Sequence, residues 1–336
     1  MNKLESNKIT IMYFLMSVLV ILIHSVNNET KFQAFFSENG IGQFAVPMFF
    51  FISGFLFFRN ISSIEGVKWK LRKRVRTVLL PYLLWNLIYY AINLLYKPGS
   101  GISIISIYDA AFNYTYNPSF WFVCQLILLN VISPLLYYAF KGEMRNSVIL
   151  ILVISLLIYF YIDIPYINED AIIYYYAGAI FSKLYNGNKV NFIDRRYILP
   201  TLILAIAMYV INRCIYYNIG SSTHLHRLFI LSVIYTRLSV VVAMFYICDL
   251  IFRYDKTYSF MEHTFFLYAI HYMIVRGLTI LMRFITYRYA PASAILAIET
   301  ITFIMMPIIC VVVSDRLSRY LSKRFHKAYA ILTGDR

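Results

Sequence analysis

Charge is scarce in this chain of 336 residues: Asp, Glu, Lys and Arg make up 14%, against 60% hydrophobic residues and a mean hydropathy of +0.65. So lean a charged fraction excludes an ordinary soluble globular domain and calls for an integral membrane protein. Glycine (12) and proline (9) are few, and no repeat, low-complexity tract or long linker is present. Nothing is left over for a separate soluble domain, so a single membrane domain over residues 1–336 is expected. The four cysteines, Cys124, Cys214, Cys248 and Cys310, sit singly within apolar runs, without the paired spacings of zinc or disulfide frameworks. There is no DxD pair, no glycine-rich phosphate loop and no His/Cys/acid cluster of metal-ligand spacing. No metal is therefore expected.

What is present is a succession of apolar runs, at residues 9–26, 44–58, 77–96, 119–140, 147–162, 171–184, 197–217, 228–252, 263–287 and 292–314. Read as spans of roughly 20 residues, they predict an all-α polytopic bundle of about ten transmembrane helices. The first run is too long for a signal-peptide core and no small-residue cleavage site follows it, so it reads as a retained anchor. The second, fifth and sixth runs are short, and Gly54 and Gly178 interrupt two of them, which makes broken or partly re-entrant helices an option there.

The net charge of +15 is distributed as a topology code. With Lys3 and Lys8 on the cytoplasmic side, the same side collects Arg59 to Arg76, Lys141, Arg145, Lys183, Lys189, Arg195, Arg196, Arg253, Lys256 and the tail from Arg316. The opposite loops hold little beyond Lys31, Lys97, Arg227 and Arg288, with the acids Glu29, Glu38, Glu169 and Asp170. That asymmetry predicts an N-in, C-in orientation. It also argues against nucleic acid as a partner, because the aromatics (18%) lie in or at the ends of the spans instead of interleaving with an accessible basic platform.

Polar groups inside the runs are the informative residues, since a bilayer excludes them unless they serve a purpose. His24 ends the first run, about 22 Å along the helix from Ile9. A functional imidazole and one merely wetted by headgroups both fit that position. His271 lies about 12 Å into the ninth run, with Tyr268 one turn before it on the same face. Arg237 and Glu299 are deep enough to require partners, and pairing with each other is the simplest arrangement. The segment VKWKLRKRVR ahead of the third run carries Arg72, Lys73, Arg74 and Arg76, a density that suits anionic lipid or the phosphates of a cytosolic cofactor. Deep histidines with such a run suggest transfer of a group from a cytosolic donor.

In order along the chain, VLVILIHS around His24, VPMFFFISGFLFF, RKRVRTVLLPYLLW, SFWFVCQLILLNVISPLL, YYYAGAIFSK and TFFLYAIHYMIV resemble the acyltransferase family 3 membrane proteins. The resemblance implies an enzyme that moves acyl groups from cytosolic acyl-coenzyme A, acetyl-coenzyme A foremost, to hydroxyls of surface or lipid-linked glycans, with no metal. It implies a multi-pass protein of a bacterial plasma membrane, and possible glycan-assembly proteins as partners. His24 is similar to the family's functional histidine, and Arg72, Lys73, Arg74 and Arg76 to its acyl-coenzyme A contact. His271 joins His24 as a candidate catalytic residue; Tyr268, Arg237, Glu299 and Trp121 are candidates for substrate contact or structural pairing. Two departures stand out. The family often has an arginine eleven residues ahead of the first histidine, where this chain has Tyr13, and its arginine pair before Pro-Tyr is here Lys73 and Arg76. A carrier that moves glycan or a polar solute, and a non-catalytic partner in glycan assembly, are the competing readings.

Overall fold

A computed structural model describes residues 3–26, 30–37, 40–97, 102–160, 168–184, 198–251 and 256–335. Of the topology-marking residues, Glu29, Glu38, Lys189, Arg195, Arg196 and Arg253 lie outside the described residues. The helices are α1 (Lys3–Ser25), α2 (Lys31–Phe36), α3 (Ala45–Phe58), α4 (Ile64–Arg74), α5 (Leu80–Tyr96), α6 (Ile104–Phe112), α7 (Trp121–Lys141) and α8 (Met144–Tyr159). They continue with α9 (Glu169–Leu184), α10 (Ile198–Asn218), α11 (Thr223–Ile251), α12 (Ser259–Glu262), α13 (Thr264–Tyr289), α14 (Ala292–Arg324) and α15 (His326–Thr333). No strand occurs among the described residues.

The protein is an all-α polytopic helix bundle. In its described residues, each of the ten apolar runs falls on helical structure. Among the described residues, eight helical stretches are long and apolar enough to cross a bilayer: Lys3–Ser25, Lys31–Phe58, Ile64–Tyr96, Pro118–Lys141, Ile198–Asn218, Thr223–Cys248, Thr264–Tyr289 and Ala292–Arg324. The other two runs fall on α8 and α9, of 16 residues each. At 1.5 Å per residue these reach about 24 Å, short of a hydrocarbon layer of roughly 30 Å.

The chain forms two compact units, each assembled from separated segments. The first takes in Met1–Ile9, Val46–Leu71 and Leu128–Lys256; the second takes in Thr10–Ala45, Arg72–Ile127 and Thr257–Arg336.

In the first unit, α9 is the pillar. Its three consecutive tyrosines, Tyr174, Tyr175 and Tyr176, are all buried. Successive residues of a helix project about 100° apart, so the three rings enter three different packing interfaces. Tyr175 donates to Asn130 of α7 at 3.3 Å, and the Tyr176 hydroxyl meets Ser147 of α8 at 2.9 Å. The glycines of α3 and α9 do not break their helices. They are where the two backbones meet: a Cβ on Gly54 would stand 1.8 Å from the Tyr175 carbonyl oxygen, and one on Gly178 would stand 1.9 Å from that of Phe51. Small residues are what allow helices to approach this closely without a side chain between them. Pro134 inside α7 cannot donate to the carbonyl of Asn130, and the neighbouring Ser133 hydroxyl supplies the missing bond at 2.6 Å. Two lysines close helix ends. Lys70 donates to the carbonyls of Leu56, Phe57 and Arg59 at 3.1, 2.5 and 2.6 Å, and Lys183 to those of Phe140 and Gly142 at 2.9 and 2.6 Å.

In the second unit, α1, α13 and α14 share an apolar seam of Ile21, Leu267, Val275, Met306 and Cys310. The rod from α4 into α5 passes through a π-helical segment, Val75–Leu79. Pro81 accounts for it, having no N–H for the Thr77 carbonyl and a ring that crowds that oxygen. α15 docks on this place: Trp85 donates to the Leu332 carbonyl at 3.0 Å, and Gly334, at φ +67°, lies so close that a Cβ would be 2.4 Å from Thr77 O. That left-handed turn beside a backbone oxygen requires glycine.

Candidate active site

α13 is the helix that positions the site, and His271 is its buried centre, 1% exposed. Nδ1 of His271 contacts the carbonyl of Tyr268, one turn earlier, at 2.5 Å. A carbonyl only accepts, so Nδ1 carries the hydrogen and Nε2 of the neutral ring is left as an acceptor. That Nε2 is buried without a hydrogen-bond partner. The ring beside it is His24: the two imidazole centroids are 5.4 Å apart, and Tyr272 adds an edge-on contact to His24 at 5.6 Å. His24 is half-buried at the last turn of α1, where Ser25 donates to the Ile21 carbonyl at 2.6 Å. The structure thus brings together the two histidines that the sequence separates.

Tyr268 ties this pair to the rest of the unit. Its hydroxyl donates to the Ser119 carbonyl, and its ring stacks on Phe120 at 5.8 Å and meets Phe122 edge-on at 5.9 Å. Trp121, the first residue of α7, is half-buried within this same turn of chain. On the α5 side, the Tyr89 hydroxyl donates to Ala269 O at 2.9 Å and receives the Met273 N–H at 3.3 Å, bracketing His271. Tyr89 and Tyr272 are neighbours of the histidines that the sequence reading missed. The signal for Tyr89 was the seven-residue spacing from Tyr82, two turns along one helix face.

The cationic residues divide. Arg72 and Lys73 are exposed and Arg74 is half-buried, while Arg76 pairs with Asp335 at 2.9 Å. Arg237 pairs with Asp170 of α9 at 3.7 Å, and Glu299 accepts from Tyr287 of α13 at 3.1 Å. The two lie in different units, and each meets a polar group on another helix of its own unit.

At the start of α13, His263 contacts the Tyr329 hydroxyl through Nδ1 at 3.1 Å, and Tyr329 in turn contacts Ser318. Burial holds the His263 imidazole below the usual histidine range, against the opposing pull of Asp315 and Glu262. Burial likewise pushes the Tyr329 phenol up. Among the described residues no three His, Cys, Asp or Glu side chains gather as a metal site would need.

The family described as "Acyltransferase domain" matches residues 8–314, a stretch that includes His24, the cationic run and His271. The chain belongs to acyltransferase family 3. Together with its apolar helices, that membership makes it a multi-pass membrane acyltransferase of this family. No match was found among curated proteins or among solved structures.

Proposed function

We propose that this family 3 acyltransferase takes an acyl group, acetyl in the simplest case, from cytosolic acyl-coenzyme A and places it on a hydroxyl of a cell-surface or lipid-linked glycan. The protein sits N-in, C-in in a bacterial plasma membrane in this reading. Arg72, Lys73, Arg74 and Arg76 bind the donor's phosphates through charge-assisted hydrogen bonds. His24 is the general base: it takes the proton of the acceptor hydroxyl as that oxygen attacks the thioester carbonyl. The C–O bond forms, the C–S bond breaks, and the thiolate of coenzyme A leaves and receives the proton. A direct acyl-His24 intermediate is the variant in which the same imidazole attacks first. His271 positions the reacting groups with its free Nε2, and the aromatic walls around Tyr268 keep out water that would hydrolyse the thioester.

The observation that carries this reading is the approach of the two imidazoles at 5.4 Å, one of them buried with an unpartnered nitrogen, within a family 3 chain. An unsatisfied buried acceptor costs on the order of 1–3 kcal/mol, so its retention is expected where a substrate completes it. Purified protein in detergent, given labelled acetyl-coenzyme A and glycan acceptors, should release coenzyme A and acylate the acceptor. His24→Ala should reduce both to background with an unchanged elution profile. Turnover that survives His24→Ala removes the histidine mechanism, and movement of an unmodified glycan without coenzyme A release favours a carrier.

A further inference from the structure

The second unit holds two more buried polar side chains whose hydrogen bonds are incomplete. Asn86 of α5 is 1% exposed; it interacts with the Tyr82 hydroxyl, which donates to Phe112 O at 3.0 Å, but neither its Oδ1 nor its Nδ2 closes a hydrogen bond of good geometry. Asn117, just ahead of α7, is 0% exposed; its Oδ1 accepts from Ser119 at 2.8 Å, while its Nδ2 has none. Buried amides are rarely left this way, because each unsatisfied group costs its desolvation without return. The two are connected to the histidine site by separate chains of contacts. Asn117 bonds Ser119, whose carbonyl takes the Tyr268 hydroxyl. Asn86 lies one turn from Tyr89, which is bonded to α13 at Ala269, and one turn from Tyr82, which stacks on Phe120.

We propose that Asn86 and Asn117 form an amide-recognising subsite for the pantetheine arm of the donor, a deepening that rests on the acyl-coenzyme A reading above. The unmatched atoms define the ligand's chemistry: Asn86 offers a donor and an acceptor side by side, and Asn117 a donor. A pantetheine arm presents C=O and N–H groups alternately along an extended, otherwise apolar chain, which suits amides set among Tyr82, Phe120 and Tyr268. Position agrees. The rod from α4 to α5 is continuous, and ten residues separate Arg76 from Asn86, roughly 15 Å along its axis. Cations that take the diphosphate therefore lie before the subsite, and the histidines lie beyond it, the order in which diphosphate, pantetheine and thioester follow in the donor. Asn86 and Asn117 act here as positioning residues; they move no proton.

The test compares two probes on the whole protein in detergent: coenzyme A, and adenosine 3′,5′-bisphosphate, which keeps phosphates but has no pantetheine. Asn86→Leu and Asn117→Leu, nearly isosteric, should each weaken coenzyme A binding by about fivefold to tenfold. They should leave the bisphosphate affinity unchanged, and in turnover they should raise KM for acetyl-coenzyme A far more than they lower kcat. Should leucine prevent folding, judged by melting and elution, alanine at the same positions carries the same comparison. Equal weakening of both probes, unchanged binding of both, or a rise in KM for the glycan alone would each overturn the subsite. A wild-type protein that binds neither probe sinks the acyl-coenzyme A reading itself. Wild-type binding together with unaffected asparagine variants removes only the subsite.

Discussion

In the first unit, Tyr175 and Tyr176 leave the same helix at successive positions, and each spends its hydroxyl on a different neighbour, Asn130 and Ser147. In the second, His271 spends one nitrogen on its own helix and leaves the other unbonded, with the His24 ring beside it. Both interiors are rich in buried polar groups. Tyr175 and Tyr176 join helix to helix, although the Tyr174 hydroxyl before them has no hydrogen-bond partner; Nε2 of His271 joins nothing. Polar groups that cross-link helices set a bundle's geometry, whereas groups held in place but incomplete are available for chemistry. In the proposed function the Tyr175–Tyr176 pillar is the scaffold half of the comparison and the histidine pair the chamber half.

The strongest way to challenge the scaffold half is at Gly54. Even the single methyl of Gly54→Ala would drive into the Tyr175 carbonyl, so we expect a loss of about 3 kcal/mol or more, with little folded protein recovered in detergent. A variant that folds and melts normally would show that the α3–α9 crossing is not close. The chamber half is tested at His271. His271→Phe should cut acyl transfer by on the order of 100-fold while melting stays close to wild type. The opposite outcome, normal turnover with a damaged fold, would make His271 a structural residue.

Tyr176→Phe is the converse probe and a smaller one. It removes one cross-link and should cost about 1 kcal/mol in stability, with turnover per folded molecule unchanged. The smallest effect is expected from pH. His263 is held neutral by burial, with its folded pKa lowered, so the unfolded chain takes up a proton first as pH falls through about 6.5. Melting temperature should be flat in this respect above that pH and decline below it, towards the lowered folded value. His263→Gln should flatten the decline, and an unaltered profile would assign the acid sensitivity elsewhere.

Helices were legible in the sequence because a bilayer imposes length and apolarity on each crossing, and in their described residues all ten runs fall on helical structure. The glycines were ambiguous because one residue type serves two ends: Gly54 and Gly178 left broken helices as an option, yet they are contact points, and only the partner backbone distinguishes the two uses. Arg237 shows a similar limit. Its depth announced the need for a counter-charge, but which acid supplies it depends on helix adjacency, and Asp170 of α9 does so at 3.7 Å. His24 and His271 were each visible as costly residues in apolar runs. Their meeting was not, since nothing in local spacing relates the end of α1 to the middle of α13. Asn86 and Asn117 gave no signal at all, because an asparagine in a span is noticed only when its bonds are counted.

The wide turn at Val75–Leu79 keeps two halves of one rod on different clocks. A π segment accommodates one residue more than an α-helix would, so everything after Pro81 is rotated by roughly 100° from where the guanidinium groups of Arg72 and Arg74 would otherwise set it. Removing a single residue there would leave composition, hydropathy and length almost untouched, and would turn Tyr89 away from α13.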